Sequence, residues 1–370
     1  MKKSLRMACW TLLSAILVAG GLLVALNVTK DADVMSPVWN PVAPVSDGSP
    51  AWDKNEVPSD PRTPPPANRS GTETPIHPTS LSRLVGEDIP YGPHACQRLD
   101  LWRPAVPAPV PVVLYFHGGG FRGGDKQNLN HGLRGEMLRA GLAVAALNYR
   151  LADTAPFPAP MYDGARAVQF LRLQAGQYGL DPQRVGATGH SAGAGIALWL
   201  ALHDDLAEPD SVDPVRRQSS RLAAAAVFDG QTTYDPRRLQ ELFGRTTEPP
   251  PALWRFFGLK SAADMDDPRY FRMFEEASPL HHASADDPPV MLLFRQSDLS
   301  LPVDPTDPRN VHHPLFGRIL KDRLDALRVT CCQLTPADLA AGENSLRGAA
   351  VVFLAEHLTR PAAAPGTQGK

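Results

Sequence analysis

The sequence predicts an α/β fold: a doubly wound, mostly parallel sheet with helices on both faces and an inserted cap segment. Continuous apolar runs of strand length alternate with helical patterns, which is typical of a parallel sheet buried on both faces. This alternation extends over about residues 84–358, enough chain for one large α/β domain. Two glycine-rich motifs directly follow two of the predicted strands.

The elements follow in a regular order along the chain. Alternating segments at 84–91 and 97–102 open the folded body. Apolar strands are predicted at 111–116, 141–149, 184–188, 222–229, 288–294 and 329–334, and helices at 162–174, 194–200, 319–327 and 346–358. The segment 231–287 interrupts this alternation with aromatic residues and clustered prolines. We interpret it as a cap-like insertion over the sheet, and a long decorated connection is the alternative.

The first thirty residues have the pattern of a targeting element. Lys2, Lys3 and Arg6 precede an uncharged apolar run over 7–28 that is about long enough to span a bilayer. We expect residues 1–30 to be an uncleaved signal anchor, because no convincing small-x-small cleavage site follows, with a cleaved signal peptide as the alternative. Either way the domain is exported, membrane-anchored by its N-terminus in the first case and secreted in the second.

The remaining domain boundaries follow from composition. Eleven prolines and no amphipathic period between residues 31 and 80 predict a disordered linker over 31–81. The folded domain is assigned to 82–360. Residues 361–370 are predicted to be a disordered tail.

Charge and cysteine content argue against several classes of function. The 37 Lys and Arg residues nearly balance the 39 Asp and Glu residues, and without a basic stripe no nucleic-acid partner is expected. Cys9 lies in the targeting element, which leaves Cys96, Cys331 and Cys332, an odd number, so no disulfide framework is expected. Cys331 and Cys332 are adjacent on a predicted strand and should face opposite sides of the sheet. No Cys/His spacing fits a metal site, and we expect none.

The pentapeptide at 189–193 is the most informative motif. It reads Gly-His-Ser-Ala-Gly, a G-x-S-x-G pattern between a predicted strand and a predicted helix. A serine on such a sharp turn exposes its hydroxyl beside the N-terminal amides of the helix. The flanking glycines allow backbone segments to approach more closely than side chains permit. Taken alone, the motif is also compatible with a small-residue helix start that has no chemistry.

A second motif, His-Gly-Gly-Gly-Phe at 117–121, directly follows the strand at 111–116. In acyl-transfer hydrolases a glycine-rich loop at this place turns peptide N–H groups toward the developing oxyanion. An ordinary glycine-rich turn is the alternative. Because the two motifs occur in the right order and each follows a strand, the pair is a much stronger signal than either alone.

Together with Asp-Ile-Pro-Tyr-Gly at 88–92, Leu-Asp-Leu-Trp at 99–102 and Gly-Asp-Lys at 124–126, these motifs resemble the α/β-hydrolase esterases. The hormone-sensitive-lipase-like and the bacterial feruloyl-esterase-like (BD-FAE) proteins are the most similar groups. The resemblance implies hydrolysis of a small-molecule carboxylic ester without a cofactor. It also implies that Ser191 is the nucleophile and that the backbone N–H groups of Gly119, Gly120 and Ala192 form the oxyanion hole.

The resemblance locates the catalytic acid less firmly. In these families the acid lies in an H-G-x-x-D motif after the next-to-last strand, a place held here by Arg295-Gln296-Ser297-Asp298. We therefore predict Asp298 as the acid, although Arg295 and Gln296 depart from the family pattern. Asp229, at the end of the preceding strand, is the alternative.

The catalytic base is where the sequence departs most from the expected order. The triad histidine of this fold usually follows the last strand, but the corresponding loop, 335–344, contains none. His312 and His313 lie in the loop after Asp298 and are the candidate bases; the pair could instead serve only to cap the following helix. If neither reaches Ser191, we expect a catalytically weakened relative that binds a ligand or a partner.

Overall fold

The computed structural model describes residues 82–244, 251–296, 308–339 and 345–359. The predicted targeting element at 1–30, the linker at 31–81 and the tail at 361–370 lie outside these ranges. Within them, no helix is both long and apolar enough to cross a membrane.

The described residues contain one eight-stranded sheet with the order β1-β2-β4-β3-β5-β6-β7-β8. Its strands are β1 Ser82–Pro90, β2 Arg98–Pro104, β3 Val110–Phe116, β4 Ala143–Leu147, β5 Leu180–His190, β6 Ala224–Phe228, β7 Val290–Leu293 and β8 Cys331–Leu334. The strands β3 to β8 are parallel, whereas β2 pairs antiparallel with both β1 and β4. The doubly wound, mostly parallel sheet is thus confirmed.

The strand order fixes where a site can form. The chain crosses from β3 to β4 in one direction and then returns, so that β5 to β8 are added on the other side of β3. Ligands of open α/β sheets bind at the carboxyl ends of the strands where the winding direction changes. In this fold that position lies between the ends of β3 and β5, which carry the two glycine motifs.

The helices cover both faces of the sheet. They are α1 His131–Arg139, α2 Ala159–Leu173, α3 Ala175–Tyr178, α4 Ala192–Leu202, α5 Pro236–Phe243, α6 Pro251–Phe256, α7 Phe271–Ala277, α8 Pro279–His282, α9 Leu315–Ala326 and α10 Leu346–Thr359. Leu114 of β3 packs in a core with α2, α4 and α9. Its neighbour Val113 packs in a second core with α1 and α10. Successive strand residues therefore contribute to opposite cores.

Helix α1 was not predicted, and it explains why β4 is shorter than the expected strand at 141–149. The side chain of Asn130 accepts a hydrogen bond from the Leu133 N–H and caps the start of α1. At the other end, Leu142 N donates to Met137 O and Gly141 N donates to Leu138 O. Gly141 has a φ of 82°, so this pair of bonds is a Schellman motif that ends the helix. Gly141 therefore belongs to the end of α1 and not to the strand.

The insertion between β6 and β7 folds into helices α5 to α8 and contacts the loop that follows β3. The rings of Phe256 and Phe121 stack with their centroids 3.9 Å apart. The N–H of Phe157 donates to the carbonyl of Phe256 at 2.8 Å. The aromatic residues that mark this segment in the sequence thus pack beside the glycine-rich loop.

The two adjacent cysteines of β8 face opposite cores, as their spacing predicts. Cys331 packs against the α2–α4–α9 core, and Cys332 packs against the α1–α10 core. Both are free thiols, as is Cys96.

Candidate active site

Ser191 lies at a sharp turn between β5 and α4. Its backbone angles, φ 55° and ψ −120°, are strained for a residue with a side chain. The turn needs both flanking glycines: a Cβ on Gly193 would lie 2.1 Å from Phe116 O, and one on Gly189 would lie 2.5 Å from Gly193 O. The sequence therefore folds here into an elbow that projects the serine hydroxyl from the sheet edge.

The glycine-rich loop lies against this elbow. A Cβ on Gly118 would lie 2.8 Å from His190 O and 3.4 Å from the Cβ of Ser191. Gly119 and Gly120 have φ angles of 120° and 61°, which residues with side chains rarely adopt. Among the hydrogen bonds between described residues, none has the N–H of Gly119 or Gly120 as its donor. Ala192 is the first residue of α4, so its N–H has no acceptor within the helix.

His117 holds the start of the loop. Its buried ring stacks on Tyr149 with centroids 4.3 Å apart and an interplanar angle of 13°. The Tyr149 hydroxyl donates to the His117 carbonyl at 2.8 Å. Burial lowers the pKa of His117, which keeps the ring neutral at neutral pH. These contacts give His117 a structural place beside the site.

His312 reaches the serine. Its Nε2 lies 2.8 Å from the Oγ of Ser191, a normal hydrogen-bond distance. The residue ends a short 3-10 helix at Pro308–His312, in the connection between β7 and α9. The imidazole that faces Ser191 therefore comes from the connection after the next-to-last strand, whereas the fold usually carries its catalytic histidine in the loop after the last strand.

The structure does not bring His313, the second candidate base, to Ser191. Its Nδ1 accepts a hydrogen bond from the Leu315 N–H at 3.0 Å. Its buried ring packs edge-on against Phe243 with centroids 5.6 Å apart. Because adjacent residues of a tight 3-10 turn point in different directions, only one member of the pair faces the serine.

The surroundings of His312 favour its neutral form. Burial lowers its pKa, the charge of Asp229 raises it, and the charges of His190 and Arg295 lower it. The net direction is downward. An imidazole with a lowered pKa keeps its Nε2 lone pair available at neutral pH, which suits a proton acceptor.

Asp229, the alternative acid, is bound to Arg295 and lies beside His190. Its Oδ1 accepts from Arg295 N at 2.9 Å, and its Oδ2 accepts from Arg295 Nε at 2.5 Å. The Nε2 of His190 lies 3.2 Å from Asp229 Oδ2 and 2.7 Å from Arg295 Nη2. Burial opposes ionisation of Asp229, but the hydrogen bonds from His190 and Arg295 outweigh it and lower the pKa of the carboxyl group. Asp298, the predicted acid, lies outside the described residues.

This ion pair was not predicted from the sequence. Its one sequence signal is that Asp229 ends one predicted strand and Arg295 directly follows the next. Parallel neighbours bring their carboxyl ends to the same edge.

A cavity of about 590 Å³ opens at the carboxyl ends of the central strands. It is lined by Gly118 and Gly119 after β3, His190 at the end of β5, Phe228 at the end of β6 and Arg295 after β7. This is the edge at which doubly wound sheets bind their ligands.

The elbow, the glycine-rich loop and the sheet order together define an α/β-hydrolase fold. Among solved structures, the chain is similar to a truncated carbohydrate esterase from gut microbiota, with a TM-score of 0.61 at 17% identity over 76% of this chain and 99% of the other. It is also similar to a thermophilic esterase from Thermogutta terrifontis, with a TM-score of 0.52 at 20% identity over 76% and 92% of the two chains. At these identities the similarity shows the fold alone.

The family follows from the sequence comparison. The BD-FAE family model matches residues 99–308, more than half of the chain, and the chain therefore belongs to this family of α/β-hydrolase esterases. The match ends four residues before His312.

Curated relatives carry esterase names. The probable carboxylic ester hydrolase LipM of Mycobacterium tuberculosis is 29% identical over 58% of this chain and 48% of its own length. Esterase LipQ of the same organism is 28% identical over 58% and 49% of the two chains. The chain thus spans about half the length of these relatives.

Proposed function

We propose that this protein is an exported serine carboxylesterase that hydrolyses small-molecule carboxylic esters through an acyl-enzyme on Ser191. The observation that carries the proposal is the 2.8 Å contact between His312 Nε2 and Ser191 Oγ. The position of the glycine-rich loop against the same elbow supports it. The names of the relatives agree with ester hydrolysis.

In this mechanism His312 takes the proton of Ser191 as the serine oxygen attacks the ester carbonyl. The N–H groups of Gly119, Gly120 and Ala192 stabilise the oxyanion of the tetrahedral intermediate. His312 then passes the proton to the departing alcohol, which leaves the acyl group on Ser191. A water molecule, deprotonated by His312, attacks this acyl-enzyme. The bond between the acyl carbon and Ser191 Oγ then breaks, His312 returns the proton to Oγ, and the acid is released. Asp298 remains the predicted partner of the second ring nitrogen of His312.

The proposal is tested by replacing the nucleophile. Ser191→Ala should abolish turnover of a short p-nitrophenyl ester, because no other nucleophile forms the acyl-enzyme. It should also abolish labelling by a fluorophosphonate, which requires an activated serine. Ser211→Ala, which changes a serine in a loop well after α4, is the matched control and should behave as the unchanged protein. Retained turnover in Ser191→Ala would remove the mechanism. An unlabelled native protein would favour the weakened relative that only binds.

The proposal also makes a prediction about pH. Arg295→Gln removes a positive charge near His312 and frees the negative charge of Asp229, and both changes raise the pKa of His312. Because the base must be neutral, the acid limb of kcat/KM should move to higher pH, and activity should be lost earlier on acidification.

The measurement is a pH profile of ester hydrolysis. Arg318→Gln, on the exposed side of α9, is the control and should leave the limb in place. An acid limb that stays or moves downward in Arg295→Gln would contradict the assignment of His312 as base.

Export is part of the proposal and is supported by the basic start and the apolar run of residues 1–30. The intact mass of the protein recovered from the membrane fraction and from the medium distinguishes an anchor from a cleaved signal. Recovery of full-length protein only from the cytoplasm would contradict export.

A further inference from the structure

Three potential metal ligands converge at the end of α4 opposite Ser191. They are His203, which follows the last residue of α4, Glu276 of α7 and His282 of α8. One ligand atom from each, a ring nitrogen or a carboxylate oxygen, lies within 4.8 Å of the other two. The three residues are separated by 73 and 6 positions in the chain, so no metal-binding spacing reveals them in the sequence.

Both ring nitrogens of His203 face hydrogen-bond acceptors, although a neutral imidazole can donate from only one of them. Its Nδ1 lies 2.8 Å from the Asp204 carbonyl oxygen, which can only accept, so Nδ1 carries the proton. Its Nε2 lies 3.1 Å from Glu276 Oε1, which is also an acceptor when the carboxylate is ionised. A neutral imidazole has only one N–H. The contact between Nε2 and Oε1 therefore requires either a second proton on the ring or a positive ion shared by both groups.

His282 has a matching arrangement. Its Nε2 lies 2.7 Å from the backbone carbonyl oxygen of Glu276, which accepts its proton. The Nδ1 of His282 then carries the lone pair. Metal-binding histidines commonly donate their other N–H to a backbone carbonyl or a carboxylate, which fixes the tautomer and the ring orientation. His203 and His282 both show this pattern.

A buried tryptophan holds the cluster in place. The Trp199 ring packs on His203 with centroids 4.0 Å apart. Its Nε1 donates to the Glu276 carbonyl at 2.9 Å. Trp199 is fully buried in α4, so it fixes the positions of both groups relative to the core.

We propose that His203, Glu276 and His282 bind one divalent transition-metal ion of the zinc type, with water as the fourth ligand. Two imidazoles and one carboxylate are a donor set that suits zinc and not magnesium. Ligand atoms about 2.0 to 2.1 Å from zinc lie roughly 3.3 to 3.5 Å apart in a tetrahedron. The 3.1 Å contact between His203 and Glu276 is close to this value. The ligand atom of His282 lies within 4.8 Å of those of the other two residues.

The ion would serve stability and not catalysis. His203 is twelve residues beyond Ser191 along one helix, which at 1.5 Å per residue is about 18 Å. An ion at this place would tie the helix that carries Ser191 at its start to α7 and α8 of the insertion. It would take no part in the ester chemistry.

The experiment uses the full-length protein treated with a chelator and then dialysed. Zinc is titrated by calorimetry, and thermal unfolding is followed with and without zinc. We expect one zinc ion per chain with a dissociation constant in the micromolar range or below. In zinc excess the unfolding midpoint should rise by about 5 °C, since a ligand that binds only the folded state stabilises it. Magnesium should not shift the unfolding midpoint. The rate of ester turnover with zinc should stay within about twofold of the rate without it.

Two variants separate this site from adventitious binding. His282→Gln should weaken zinc binding by at least about tenfold and remove the thermal shift. His281→Gln, which changes the exposed neighbouring histidine outside the cluster, is the matched control and should retain both. If His282→Gln does not fold, Glu276→Gln provides the same test. Absence of saturable zinc binding, or equal binding by the His282 and His281 variants, would overturn the proposal and leave a protonated His203 paired with Glu276. These readouts do not depend on esterase activity.

Discussion

Replacing His312 by glutamine is expected to lower kcat for a p-nitrophenyl ester by about 10⁴-fold or more. Glutamine retains a polar side chain of similar reach but cannot accept the Ser191 proton as a base. His313→Gln is the matched control, because it makes the same change one residue away, in a side chain that packs against Phe243. We expect the His313 variant to keep most of the activity. Initial rates at saturating ester and the rate of fluorophosphonate labelling measure both effects.

Thermal unfolding of the two variants separates chemistry from folding. His313 is buried and accepts a hydrogen bond, so its replacement should lower the unfolding temperature more than the replacement of His312. A His312 variant with near-normal kcat, or a His313 variant that loses activity without losing stability, would show that the base has been assigned wrongly.

Gly119→Ala is expected to lower kcat by about a hundred- to a thousandfold, the effect of losing one oxyanion donor. Gly119 has a φ of 120°, and a Cβ there would lie 2.3 Å from Gly123 O. The loop must shift to relieve this contact, and the shift moves the N–H groups of Gly119 and Gly120. KM should change less than kcat, because the oxyanion forms only during the reaction.

Gly123→Ala is the control from the same loop. A Cβ at this position meets no atom within 4 Å, and its φ lies outside the left-handed region. This variant should keep kcat within about threefold, since the substitution requires no backbone movement. Equal losses in the two variants, or an unaffected Gly119 variant, would argue against an oxyanion hole formed by this loop.

Most of the fold could be predicted from the sequence because its strands are short, continuous apolar runs. Both faces of β3 are buried, so every position from 110 to 116 is apolar and the run is unambiguous. Strand ends were less predictable, because Gly141 belongs to the cap of α1. Helix α1 itself was missed, although Asn130 supplied a capping signal before it.

The candidate site was also predictable only in part. The elbow around Ser191 was predictable because its backbone geometry demands glycine at fixed offsets, and those offsets can be read in one dimension. Which of two adjacent histidines faces the serine depends on the rotation of one short 3-10 turn. Sequence spacing carries no information about that rotation, and both residues remained candidates.

Two contacts between distant segments were not predicted from the sequence. Arg295 and Asp229 meet because β6 and β7 are neighbours in register. The contact between His203 and Glu276 depends on how α7 packs against the end of α4. Each of these pairs is at least 66 residues apart in the chain, and no local pattern connects them.

The role proposed for His312 has a consequence for how relatives of this chain are classified. A search that requires an imidazole in the terminal loop of the domain would place this protein among the pseudoenzymes. Yet any loop that follows a strand at the same edge of the sheet can supply the proton acceptor. What matters is that the imidazole lies beside the serine hydroxyl, and not which loop of the sequence it comes from. The absence of a histidine from that one loop is therefore weak evidence of inactivity, which should be inferred only after the neighbouring loops have been inspected in three dimensions.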